Sequence, residues 1–407
     1  MGTIVQKFGG SSVADVDRLG LVADKVVATR EAGHDVVVVV SAMGKTTDQL
    51  LALAKQVDEN PPRRELDMLL TTGERVSMAL LSMAIQKRGC DAISFTGSQS
   101  GIITNDRHFD ARIIEVRPHR VEDELARGRV VIIAGYQGMS YKREITTLGR
   151  GGSDTTALAM AAALGAERAE IYSDVDGVYS ADPRTVAEAR HLPEVSYEEM
   201  EEMAGAGAKV LHAGAVEFAR RAGIAIHARS TFVPGRETVV RDGGGRPGEI
   251  RAVVGQRGVV RVEVRGGRAE VAQVLDEAAR RSIVPRDLEV SVDRAGFHVV
   301  VDHTPDWEAA RAELDRAGGD RLTMEGRLGI ASVIGDGPAG GHDRVVAAMT
   351  ALDAAGLRRH RVWCGPLRLS VLVDESDLDE SVRVLHATLL GGDTDTDGAA
   401  AAGDRGL

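Results

Sequence analysis

Apolar positions are spaced along the first two thirds of the chain in the alternation of a layered α/β domain. Residues 3–6, Thr3-Ile4-Val5-Gln6, form a short strand-type run. From 16 to 30 the apolar residues Leu19, Val22, Val26 and Val27 recur at the spacing of one helix face. Asp35-Val36-Val37-Val38-Val39-Val40 then reads as a strand apolar on both faces, as a buried parallel strand requires. Strand, helix, strand and a further helix form the βαβ grammar that places helices on both sides of a sheet. The pattern predicts helices over 48–57 and 65–87 and a short strand over 92–95. A second wholly apolar strand, 130–134, ends at Gly135, and a small-residue helix follows over 155–164. A strand over 170–172, a helix opening at Gly205-Ala206-Gly207-Ala208-Lys209 and running to about residue 221, and a strand over 224–228 complete this part.

From 234 to 248 the composition shifts to Gly, Arg and Pro, a domain boundary. Beyond it the order changes: strand 259–264, helix 269–281, strands 288–292 and 297–301, helix 307–317. The same order recurs as 330–334, 344–355, 360–363, 367–373 and 378–389, an internal repeat of two small α+β modules. The Gly, Asp, Thr and Ala tail, 391–407, is expected to be disordered.

Two glycine loops sit where strands give way to helices. Lys7-Phe8-Gly9-Gly10-Ser11-Ser12 follows the first strand. Two glycines there let backbone N–H groups approach an anion, a following helix start adds a favourable dipole, and Lys7 adds a mobile charge. The second loop, Leu148-Gly149-Arg150-Gly151-Gly152-Ser153-Asp154, opens the small-residue helix. The Gly44-Lys45-Thr46 run is a decoy, because a Walker A loop needs glycine where Val39 stands. The acidic stretch Ser173-Asp174-Val175-Asp176-Gly177 lacks the closing Glu of an EF-hand, so it reads as a strand-end loop shaping a ribose and base pocket.

Length and charge narrow the class. A chain of 407 residues holds two or three domains with ordinary cores. A formal net charge of −11 argues against a nucleic-acid partner. Two cysteines, Cys90 and Cys364, are too few for a disulfide framework. No apolar window of membrane-span length, basic-then-apolar leader or myristoylation Ser/Thr at position 6 is read, so the expectation is a soluble cytoplasmic protein without membrane partners. Only seven of the 50 Lys and Arg residues are lysines, yet Lys7 and Lys209 both fall in glycine-containing loops, where a compact ammonium can meet a transferring phosphoryl group.

The blocks Lys7–Val13, Thr71-Thr72-Gly73-Glu74-Arg75, 148–154 and 172–184, taken in order and spacing, resemble aspartate kinases of the amino-acid kinase superfamily. The likeness covers roughly residues 2–232. It implies a three-layer αβα amino-acid kinase domain with a mainly parallel central sheet over 1–234, a linker over 235–250, ACT-like (ferredoxin-like) modules over 251–325 and 326–390, and the tail. The implied reaction moves the γ-phosphoryl group of ATP to the side-chain carboxylate of L-aspartate, giving 4-phospho-L-aspartate, with Mg²⁺ arriving with ATP and no dedicated protein ligand for it. A carboxylate is already ionised at neutral pH, so the nucleophile needs no general base, only alignment and charge cancellation.

By the same resemblance, Lys7, Asp154 and Lys209 are catalytic. Lys7 and Lys209 hold the phosphates from opposite sides, Gly9, Gly10 and Ser11 supply loop contacts, and Asp154 orients Lys7 or the metal-bound phosphates. Ser173, Asp174, Tyr179, Asp182 and Arg184 frame the nucleotide. Arg150 is the bidentate partner of a substrate carboxylate, Glu74 takes the α-ammonium group, and Ser41, Thr47, Gly151, Gly152 and Ser153 line the acceptor site. At least a homodimer is implied, joined through the C-terminal modules with their exposed sheet edges.

The chain departs from the family pattern in three places. After Lys209 it continues Val210-Leu211-His212-Ala213-Gly214 in place of a Pro-Arg-like pair. In the first module the expected Asn-Ile-Asp and Gln-Asn become Val284-Pro285-Arg286-Asp287 and Ser291-Val292. The expected Asp-Lys-Pro-Gly turn is reduced to Arg265-Gly266-Gly267-Arg268. Losing an amide pair removes donors and acceptors that would read an amino-acid effector, so feedback inhibition by lysine and threonine is expected to be lost or altered. Competing readings are a kinase for another acidic metabolite and a silent nucleotide-binding sensor subunit.

Overall fold

The computed structural model describes residues 2–244, 248–304, 306–335 and 341–391. The chain forms two compact units. The first comprises Met1–Val178, His191–Gly205 and Lys209–Gly245; the second comprises Tyr179–Arg190, Ala206–Ala208 and Arg246–Leu407.

The first unit is built on an eight-stranded sheet. Its spatial order is Glu194–Val195, Glu237–Val240, Ile226–Ser230, Arg168–Ser173, Thr3–Phe8, Asp35–Val40, Val130–Ala134, Ala92–Phe95. All neighbours run parallel except Ile226–Ser230 against Glu237–Val240. Val36 to Val40 are all fully buried, which is why five successive valines are tolerated only in this central position. Thr3–Phe8 lies between Arg168–Ser173 and Asp35–Val40, so the chain leaves it to one side and returns on the other. Such a switch point opens a crevice at the carboxyl ends of the strands, where ligands bind in open α/β sheets. On one face Leu19, Val22, Leu81 and Ile85 pack against Val36, Val38 and Ile132.

Several expected elements differ. A helix at Tyr197–Gly205 precedes residues 206–212, which are not helical, and the next helix is Ala213–Ala222, so Lys209 stands in a loop rather than at a helix start. The signal was present: Ser196 and Glu199 form a reciprocal capping box, with Ser196 N to Glu199 Oε2 at 3.0 Å and Glu199 N to Ser196 Oγ at 3.1 Å. The first glycine loop runs on to an Asp15 cap before its helix, Val16–Glu31, so its own backbone rather than a helix start faces the crevice. The expected 65–87 helix is two, Arg63–Leu70 and Thr72–Gln86, joined at Thr71. Together they are long and apolar enough to cross a membrane by length and composition alone, contrary to the sequence expectation. Leu66, Leu70, Leu81 and Ile85 are nevertheless core residues of this unit. A small sheet of Ile113–Val116, Ile102–Thr104, Gln137–Ser140 and Ile145–Thr147 was not foreseen, nor was Glu237–Val240 within the linker.

The second unit is one six-stranded sheet, ordered Arg286–Val290, Arg294–Val300, Ile250–Arg265, Leu322–Gly335, Arg368–Asp374, Arg359–Gly365. The two long strands pair antiparallel along their lengths and each serves both halves. Val262, Val264, Phe297, Leu314 and Leu322 share one core, while Val253, Ala331, Val333, Leu369 and Leu385 share the other. Apolar alternation pauses at Gly255-Gln256-Arg257-Gly258, the register irregularity between the halves, and this hid the first half of the long strand. Ala181 and Val186 are also buried in the second of these cores, and Ser180 Oγ lies 2.9 Å from His386 Nε2. The expected disordered tail, beyond residue 391, lies outside the described residues.

Candidate active site

The carboxyl ends of the central strands gather most of the sequence-selected residues. Phe8 ends the first strand stacked on Tyr172, ring centroids 4.7 Å apart. Gly9 N–H donates to Tyr172 O at 3.2 Å, Ser41 N–H to Phe8 O at 3.1 Å and Gly44 N–H to Gly10 O at 3.0 Å. These bonds lock the first loop between the ends of the neighbouring strands. A side chain is excluded at Gly10, where a Cβ would stand 2.9 Å from Ala42 O.

Lys7 Nζ pairs with Asp154 Oδ1 at 2.7 Å, and both side chains are largely buried. Asp154 comes from the first turn of the helix Gly152–Leu164, so the pair ties the two glycine loops together. That helix has Gly151 at its N-cap with no side-chain cap, leaving first-turn N–H groups for an anion. Its Ala-rich body, buried from Thr156 through Ala161, lets it lie close on the sheet. Gly135 makes the approach possible, since a Cβ there would meet Ser153 Oγ at 2.7 Å.

Glu74 is the most unusual group in the site. It is 3% exposed, accepts the Ala42 N–H through Oε1 at 3.2 Å, and leaves Oε2 without a hydrogen-bond partner among the described residues. Burial pushes its carboxyl up to about 7. Gly73 lets this helix start press on the loop after the second strand, because a Cβ would meet that of Ala42 at 2.8 Å. Thr47 and Ser41, both half-buried, belong to that loop and its helix. A buried carboxylate with one open oxygen is suited to a cation delivered by a ligand.

Arg150 is exposed between Gly149 and Gly151, whose φ values of +70° and +67° are left-handed, and it makes no ion pair among the described residues. Gly151 is covered by His212, which brings the loop carrying the exposed Lys209 against the second glycine loop. A Cβ at Gly151 would stand 2.4 Å from His212 Cβ on a backbone that L side chains rarely adopt. Gly151→Ala is therefore expected to lower stability by about 2 kcal/mol or more, read as a drop in the thermal midpoint.

The nucleotide-frame residues divide. Ser173 ends the Arg168–Ser173 strand with its Oγ accepting the Val175 N–H at 3.3 Å, and Asp174 is exposed beside it. Tyr179, Asp182 and Arg184 belong to the second unit, where Arg184 pairs with Asp182 at 2.7 Å. Tyr136 was not foreseen: it holds a left-handed φ of 67°, and its ring would contact a Cβ on Gly152 at 2.9 Å. Burial pushes its hydroxyl up to about 12. A residue between a strand-ending glycine and Gln137 carries no periodic signal that marks it.

Residues 2–230 match the model of the amino acid kinase family. The aspartokinase of Mycolicibacterium smegmatis is 44% identical over 97% of each chain, and aspartokinase 2 of Bacillus subtilis is 39% identical over 95% of this chain and 97% of its own. A crystal structure of E. coli aspartokinase III in complex with aspartate and ADP superimposes with a TM-score of 0.84 at 26% identity, covering 95% of this chain and 99% of that one. With the paired Lys7 and Asp154 at the switch point of the sheet and this likeness along nearly its whole length, the chain belongs to the aspartokinases of the amino acid kinase family.

Proposed function

We propose that this protein is an ATP-dependent aspartate kinase that converts L-aspartate and MgATP to 4-phospho-L-aspartate and ADP. The observation that carries the reading is the buried Lys7–Asp154 pair, set between two glycine loops and accompanied by the half-satisfied carboxylate of Glu74. A β-carboxylate oxygen attacks the γ-phosphorus while the bond to the ADP oxygen breaks, and no proton has to be removed from the nucleophile. Lys7 neutralises charge on the transferring group, and Asp154 holds its ammonium in place. Backbone N–H groups of the first loop and of the Gly152 helix start receive phosphate oxygens, with Lys209 adding charge from the other side. Ser173, Asp174, Tyr179, Asp182 and Arg184 are assigned to the nucleotide. Arg150 and Glu74 take the α-carboxylate and α-ammonium of the acceptor, with Ser41, Thr47, Gly151, Gly152 and Ser153 lining its site. Mg²⁺ is part of the nucleotide substrate, carried by its phosphates and water.

The test is ATP consumption with L-aspartate, trapping the acyl phosphate as its hydroxamate. Hydroxamate formed in step with ADP supports the reading; ADP without hydroxamate, or neither, rejects it.

The C-terminal unit is assigned an assembly role in a cytoplasmic homodimer or higher oligomer. Its edge strand Arg286–Val290 leaves Leu288 and Val290 substantially exposed. Ser291 and Val292 now occupy the place of an effector-reading amide pair. Ser291 Oγ is turned onto Arg294 O at 3.2 Å, with Asp293 Oδ1 at 3.3 Å. Turnover is accordingly expected to be unchanged when lysine and threonine are titrated together to sub-millimolar levels. Clear suppression by either amino acid would show that the feedback site survives.

A further inference from the structure

Behind the acceptor loop, three donors from separate segments converge on one buried carboxylate that the reaction itself does not use. Asp67 is fully buried on the helix Arg63–Leu70. Its Oδ1 accepts the Thr147 hydroxyl at 2.6 Å and the Phe109 N–H at 3.1 Å. His108 Nδ1 lies 2.7 Å from Oδ2, donating in the tautomer that carries its proton there.

Each partner leads directly to the acceptor site. The Asp67 helix runs through Thr71 into Gly73 and Glu74. Thr147 is the last residue of the Ile145–Thr147 strand, immediately before Leu148 and the Gly149–Gly152 loop that carries Arg150. The 108–111 segment wraps that loop from outside. Ala111 N–H donates to Thr147 O at 2.8 Å, and Asp110 Oδ1 stands 3.0 Å from where a Gly149 Cβ would be. Phe109 holds a left-handed φ of 72°, a conformation that persists only where surrounding contacts fix it. Its N–H bond to Asp67 is such a contact. Tyr136 accepts the Leu148 N–H through its carbonyl at 2.9 Å and closes the group.

We infer that Asp67 is a positioning residue that fixes the distance between Glu74 and the Arg150 loop, and so sets the affinity for the amino-acid acceptor. The inference rests on the acceptor roles proposed above for Glu74 and Arg150. The chemistry explains the residue type. An ionised carboxylate accepts all three donors and offers none, an amide turns an NH₂ toward one of them, and an apolar side chain leaves all three unpaired in the interior. Burial pushes the Asp67 carboxyl up, while the bonds from Thr147 and His108 pull it down.

Thr147→Val keeps side-chain volume and removes one donor, and Thr147→Ser restores it. In Thr147→Val the KM for aspartate is expected to rise about tenfold, with kcat and the KM for ATP within about twofold of the parent, and Thr147→Ser is expected to recover the parent value. Asp67→Asn keeps an oxygen for Thr147 and Phe109 but confronts His108 with NH₂, so a rise of about threefold is expected. An aspartate KM that stays within about twofold in Thr147→Val while the thermal midpoint falls would leave Asp67 a purely structural group. Equal rises in both KM values would refute it too.

Hydrogen exchange separates this inference from the functional reading. If the parent enzyme does not use aspartate, the functional reading fails. The amides of 148–152 must still exchange faster in Thr147→Val, with the helix Arg268–Arg280 unchanged. Unaltered protection of 148–152 overturns the positioning role.

Discussion

Lys7→Ala is expected to lower kcat for phosphoryl transfer by about 10³-fold while leaving the KM for ATP within about threefold. The lysine meets its counter-charge within the site, since Asp154 Oδ1 lies 2.7 Å away and holds the ammonium in one place. On the roles proposed above, the ground-state phosphates are held by backbone N–H groups of two glycine loops and by Lys209, so losing one cation affects binding modestly. In the transition state, charge grows on the equatorial oxygens of the transferring group, and a fixed ammonium in a water-poor crevice is worth far more there. Lys7→Arg should not rescue. The guanidinium is a broad planar fork that spreads the charge an ammonium concentrates beside Asp154. Asp154→Asn should cost less, about tenfold, because it loosens the lysine without removing it. Single-turnover measurement of acyl phosphate formation reads all three. A Lys7→Ala enzyme within tenfold of the parent would mean that Lys209 or the nucleotide's own metal carries the charge.

Much of this site is legible in the sequence because its chemistry depends on local backbone. Gly10, Gly149, Gly151 and Gly152 stand where a Cβ would strike a neighbouring loop or where φ is positive, and those demands leave glycine in the sequence. The five buried valines and the Ala-rich helix likewise write their packing partners into composition. Long-range convergence is what escapes such a reading. Asp67 looks like any polar position of an amphipathic helix, and only the fold brings Thr147 and Phe109 to it across 80 and 42 positions of chain. Ser196 and Glu199 did mark a helix start, but a Gly-Ala run downstream drew the helix to the wrong place. The two C-terminal modules read as consecutive repeats, whereas each long strand contributes to both cores, a pairing between Ile250–Arg265 and Leu322–Gly335 that no local pattern encodes.

Glu74 governs the second large effect, and its protonation gives that effect a pH signature. In the absence of substrate, burial holds its carboxyl at about 7, so near pH 6 most of the protein carries it neutral. In the role proposed for Glu74, the acceptor's ammonium needs the ionised form. The kcat/KM for aspartate is therefore expected to climb as pH rises toward about 7 and to level above it, while the value for ATP stays flat through the same range. Glu74→Gln should raise the aspartate KM by about 100-fold at pH near 8 and abolish the climb. Stability moves the other way. A carboxyl whose folded value lies above its unfolded value of 4.5 binds more protons folded than unfolded between those limits, so its contribution to stability falls as pH rises from about 4.5 to about 7. Removing the charge removes that loss. Glu74→Gln should accordingly match the parent only at or below about pH 4.5 and be increasingly more stable from there through about pH 7 in thermal unfolding without substrate, yet bind aspartate far worse. A residue kept for packing cannot give that combination, because its replacement would weaken the fold and the site together. A variant less stable at pH 8 and unchanged in aspartate KM would place the ammonium elsewhere.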